Sequence, residues 1–119
     1  MEQAGPGPAP PHAVHPAAIS ASVGDPYRNE MLMAFNDHEV RMSVMTGSFG
    51  WHHHPDSDEV FMVLEGELVI EFVHGEVVLG PGEMLTVEKG VVHRTRCGGA
   101  RSVNLTFERR GAATVFVEA

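Results

Sequence analysis

Residues Trp51 to Gly66 read WHHHPDSDEVFMVLEG. Along a β-strand, residues i and i+2 point to one face, roughly 6–7 Å apart at about 3.3 Å rise per residue. The imidazoles of His52 and His54 therefore share a face, and His53 points the other way. Pro55, Asp56 and Ser57 suit a turn, because proline fixes φ and Asp and Ser favour turn positions. The chain then returns along Glu59 to Leu64, whose first residue brings a carboxylate toward the same point. A fourth donor has to come from another strand, and His93, in the segment EKGVVHRTR, is placed to supply it. These residue types at this spacing predict that His52, His54, Glu59 and His93 hold one divalent metal inside a small β-barrel.

Three imidazoles and a carboxylate suit Mn, Fe, Co, Ni, Cu or Zn, and affinity order alone favours Cu and Zn without choosing among them. On a six-coordinate ion, four protein ligands leave two positions for water or a chelating substrate.

The same residues carry a family resemblance. His52-x-His54, four residues, Glu59, six residues and Gly66 resembles the first motif of the cupin superfamily. The second motif is matched in part by Gly82, five residues and Glu88-Lys89-Gly90-Val91-Val92-His93. Glu88 stands where the family usually has proline, and Cys97 where it often has asparagine. Upstream, the usual glycine is approximated by Gly47. The resemblance runs from about Met31 to Val117. The wording WHHHPDSDEVFMVLEGEL, LGPGEM and KGVVHR is similar to small single-domain cupins of the mannose-6-phosphate-isomerase-like type, a likeness that carries no activity with it. It implies a double-stranded β-helix, or jelly-roll, barrel. It also implies a homodimer, since small cupins often pair by exchanging strands or arms.

The chain of 119 residues is enough for one domain. Its formal net charge of −8 includes a single lysine, Lys89. Such a surface repels phosphate backbones and anionic headgroups, so neither nucleic acid nor a membrane is an expected partner. One cysteine, Cys97, excludes an intrachain disulfide. No apolar run approaches the ~20 residues of a membrane span, and no signal-peptide pattern opens the chain, so a cytoplasmic location is expected.

Residues 1–18, with GPGPAPPHAVHPAA, are too rich in Pro, Ala and Gly to suggest a regular helix or ladder, and read as a flexible or extended arm. Residues 19–119 read as one all-β barrel domain. Asn29 to Phe35 is an apolar strand. His38 to Thr46 alternates, with Val40, Met42 and Val44 on one face and Glu39, Arg41 and Ser43 on the other. About ten short strands with frequent turns, and no long amphipathic helix, argue for a sandwich or barrel.

Parity extends the pocket. Phe61 and Val63 share the face of Glu59, and Thr95 and Cys97 share that of His93, while Arg94 and Arg96 point away. Arg41 and Arg101 are the candidate basic residues of the pocket. This lining is mostly apolar with few polar points, the balance of a small-molecule site. It favours a neutral or weakly charged oxygenated substrate over a sugar phosphate, which wants several cations. The first functional reading is a metal-dependent isomerase, lyase or dioxygenase. The alternatives are a non-catalytic module that binds a small molecule or metal, and a barrel that the metal merely staples. No separate catalytic base is visible.

Overall fold

The computed structural model describes residues 5–118; the first four residues of the expected arm and Ala119 lie outside it. The alternating stretches form ten strands: β1 (Tyr27–Phe35), β2 (His38–Met45), β3 (Ser48–His53), β4 (Glu59–Glu65), β5 (Leu68–Phe72), β6 (Gly75–Leu79), β7 (Met84–Val87), β8 (His93–Cys97), β9 (Ser102–Arg109) and β10 (Val115–Phe116). Every pairing is antiparallel, in two five-stranded sheets of order β1-β2-β9-β4-β7 and β10-β3-β8-β5-β6. This is the double-stranded β-helix barrel expected from the sequence.

Two apolar clusters hold the barrel. Met45, Phe61, Val63, Leu68, Ile70, Leu79 and Val87 fill the space between the sheets. Val40, Met42, Val44, Val103 and Leu105 form a second cluster with Val23. Their strand neighbours Glu39, Arg41 and Ser43 line the barrel's cavity, so alternation puts this second cluster on the outer face of the first sheet. On β2 the polar face therefore points inward.

That outer face is covered by a helix, α1 (Pro16–Ala21), with Ile19 and Val23 packed on the cluster. The expectation of no regular helix through residue 18 is corrected here. Proline lies in the helix's first turn, where its missing N–H costs nothing and its fixed φ suits the helix. Arg101 is corrected too. It stands one residue before Ser102, on the outer side, and does not turn into the cavity. Its guanidinium donates to the carbonyls of Ser20 and Val23, behind α1, and its Nε lies 3.2 Å from a Glu65 carboxylate oxygen.

Gly66, between β4 and β5, has φ +72°, and a Cβ there would collide with the Arg101 carbonyl. Only glycine permits both the left-handed backbone and that close approach.

Candidate metal centre

β3, the turn after it, β4 and β8 bring one donor atom each from His52, His54, Glu59 and His93 to within 4.8 Å of one another, and all four residues are buried. In β3 the register slips between Phe49 and His52, a bulge that leaves His52 directly opposite His93 on β8. Their rings lie 4.3 Å apart between centroids. Because of the bulge, Phe49 also turns inward, edge-on to His52 at 5.0 Å. A strict two-residue alternation misses Phe49; Gly50 beside it is the sequence signal for the irregularity.

The three rings are oriented by their other nitrogen. Nδ1 of His52 bonds the Gly50 carbonyl at 2.7 Å, that of His54 the Ala113 carbonyl at 3.0 Å, and that of His93 the Val91 carbonyl at 2.9 Å. A carbonyl only accepts, so each Nδ1 carries the proton and donates it. In the neutral ring that leaves the Nε2 lone pair free, the arrangement of metal-ligating histidines. His54 Nε2, His93 Nε2 and Glu59 Oε1 are buried without a hydrogen-bond partner among the described residues. Glu59 Oε1 lies 3.3 Å from His54 Nε2 and 3.5 Å from His93 Nε2. Ligands about 2.0–2.2 Å from one ion sit about 3–4 Å from each other, so the group suits a metal. Orphaned buried polar atoms are otherwise costly.

The turn does more than reverse the chain. Asp56 accepts from the Ala113 N–H at 3.1 Å, Ser57 Oγ from the Arg109 N–H at 2.9 Å, and Asp58 from the Lys89 N–H at 2.8 Å. The His54 carbonyl accepts from the Gly90 N–H at 2.8 Å. Asp56 thus fixes the segment whose carbonyl aims His54, and Asp58 fixes the turn that leads to His93. The sequence marked a turn but not these partners, which lie about 30 to 60 residues away in the chain.

In the metal-free protein the donors share charge. The Glu59 carboxylate raises the pKa of His54 to about 9, against the opposing effect of burial. Burial pushes Glu59 upward, but His54 and His93 outweigh it and hold its carboxyl well below the usual range. Burial lowers His52. Burial, reinforced by the charge of Glu59, raises Glu108 to about 7.

His52, His54 and Glu59 line a cavity of about 430 Å³ together with Asn29, Glu39, Arg41, Ser43, Phe49, Phe61, Thr95, Thr106, Glu108 and Thr114, with His93 buried behind them. Of the expected pocket residues, Arg41, Phe61 and Thr95 line it. Val63 is fully buried deeper in the apolar interior, and Cys97 packs at the edge of that cluster. Outside, Arg94 stacks on Trp51 and, with Arg96, pairs with Glu71. His53 does not line the cavity. Sequence reasoning missed Glu39, Thr106 and Glu108, and the expected mostly apolar lining is corrected: most of the side chains around the cavity are polar or charged. The inward face of β9 is polar throughout, so hydrophobic alternation there marks the wrong side of the sheet as interior.

Two sheets closed around an inward cluster of three histidines and a carboxylate define a barrel of the jelly-roll class with a centre suited to a metal. Residues 38–107 match the family model described as Cupin domain (Cupin_2), and the chain belongs to that family. It is 49% identical over 102 residues to the uncharacterized protein YdbB of Bacillus subtilis (strain 168), covering 85% of this chain and 89% of that protein. Among solved structures it is similar to a cupin-2 domain protein of Shewanella frigidimarina NCIMB 400, with 29% identity, a TM-score of 0.76, and 82% and 94% of the two chains covered. It also shares its fold with the DMSP lyase DddQ of Ruegeria pomeroyi DSS-3, with 19% identity, a TM-score of 0.69, and 95% and 81% covered.

Proposed function

We propose that the protein is a metal-dependent enzyme of the isomerase, lyase or dioxygenase type. In this reading His52, His54 and His93 through Nε2, and Glu59 through Oε1, hold one divalent transition metal, and a small oxygenated molecule binds beside it in the barrel. The observation that carries the reading is the convergence of buried, unpartnered donor atoms on a cavity with room for a small molecule. A pure staple needs no such cavity beside it.

When bound, the metal supplies Lewis acidity toward a substrate oxygen. The chain does the rest. The carbonyls of Gly50, Val91 and Ala113 hold the three rings in place. Phe49 and Phe61 supply the apolar part of a lining that is otherwise mostly polar. The hydroxyls of Ser43, Thr95, Thr106 and Thr114 line the space where a substrate would be oriented. Glu59 is committed to the metal and is not a free base. We further propose a homodimer, supported by the exposed apolar side chains of the edge strand β1.

Elemental analysis of untagged protein tests the site. About one equivalent of a transition metal is expected, falling below a tenth in His52→Ala, His54→Ala or His93→Ala and unchanged in His53→Ala. Stoichiometric metal in any two of the first three variants removes this ligand set. Chelation separates the roles: an enzyme loses turnover while its fold persists, and a staple loses cooperative unfolding. A folded barrel without metal favours the non-catalytic binding module.

A further inference from the structure

Three carboxyl groups stand side by side on adjacent strands of the cavity wall. Glu39 on β2 and Glu59 on β4 are both register partners of Glu108 on β9, which lies between them. Like charges directly opposite across strands are destabilising, so each needs a partner. Glu59 has the metal group. Glu39 has Arg41, whose Nη1 lies 3.2 Å from its Oε1. Glu108 has none among the described residues, and its Oε2 is buried without a hydrogen bond.

This is more than a cluster of acids. The same cavity receives His54 Nε2 and Glu59 Oε1, unpartnered atoms of side chains only 9% exposed, so it is a ligand cavity on separate grounds. Arg41, the one arginine lining it among the described residues, is already paired. Arg41 also donates through Nε to Asn29 Oδ1, besides its bond to Glu39. With Glu59 on a metal and Glu39 on Arg41, the carboxyl group left without a partner in the wall is that of Glu108. Resting on the metal-enzyme reading above, we infer that Glu108, backed by Glu39, selects substrates that present a hydroxyl or ammonium donor beside the metal-binding oxygen and disfavours those that present a carboxylate or phosphate there. A donor satisfies the buried Oε2, whereas an anion beside it meets the Glu108 and Glu39 carboxyl groups and an arginine already paired.

Three probes of one carbon skeleton test this: isopropanolamine, propylene glycol and lactate, titrated calorimetrically against the protein as purified and after chelation. Lactate chelates metals well, so the decisive quantity is the isopropanolamine-to-lactate affinity ratio across variants. Glu108→Gln is expected to lower that ratio about tenfold, the size of one charge-assisted hydrogen bond, and Glu108→Asp to restore most of it. Glu39→Gln, which frees Arg41, is expected to raise lactate affinity with metal content unchanged. A ratio unmoved by both Gln variants, or no binding of isopropanolamine to the wild type, overturns the inference. Metal content is measured on every sample. Absent metal with the ratio still governed by Glu108 sinks the metal reading and leaves the charge selectivity standing; present metal with an indifferent ratio does the reverse.

Discussion

Asp56 touches none of the four donor atoms, yet the aim of His54 depends on it. Its carboxylate holds the Ala113 N–H, and the Ala113 carbonyl holds His54 Nδ1. Groups one step behind a metal ligand typically account for 10–100-fold in affinity. Asp56→Ala is therefore expected to weaken metal binding about tenfold at nearly unchanged stability, since Asp56 itself is exposed. A competition titration against a chromophoric chelator measures it, and wild-type affinity would show that the Ala113 carbonyl holds its place unaided. At this scale the sequence revealed the donors and concealed their supports. His52, His54 and Glu59 lie within one turn of chain, where the two-residue period ties position to direction. The partners of Asp56, Ser57 and Asp58 are set by how distant strands close, and nothing local encodes that. Glu108 was hidden for the same reason: it faces Glu59 only through the β4–β9 register.

Strands and turns were the most legible elements, because alternation and Gly, Pro and Asn punctuation are local. The β3 bulge and α1 were not. A bulge breaks the period by which a strand is recognised, and a six-residue helix opened by proline lies below the length at which helical period is visible. β1 poses the opposite problem, an element whose surface is legible but whose partner is not. It runs nine residues along one sheet edge with Tyr27, Met31, Met33 and Phe35 exposed. Long apolar edges are usually covered or charged, which supports the proposed homodimer of two 12.9 kDa chains. Light scattering at micromolar concentration should give twice the chain mass, and the Met31→Glu, Met33→Glu double variant should give the monomer. A wild-type monomer removes the proposal; a dimer that survives both charges moves its interface elsewhere.

Over the whole molecule, the buried titratable groups set protons against the proposed metal for one fold. Without metal, His54 has its pKa raised from 6.5 to about 9, and Glu108 has its own raised from 4.5 to about 7. Between those limits the folded protein holds protons that the unfolded chain has released. Stability then falls as pH rises, since its slope follows protons bound unfolded minus folded. Glu59 works oppositely, its lowered pKa favouring the fold above 4.5 and losing that contribution in stronger acid. His52, lowered by burial, opposes the fall below 6.5, where the unfolded chain binds a proton that the fold rejects. The metal-free protein should thus be most stable between about pH 5 and 6.5, with Tm falling by roughly 5 °C or more from there toward about pH 9. A metal replaces the proton on His54, so the Tm gained on adding metal should grow across the same window. Calorimetric scans with and without chelator at several pH values measure both trends. A flat metal-free profile would mean the cluster does not hold protons in the fold, and a metal increment indifferent to pH would mean that no titrating histidine binds it.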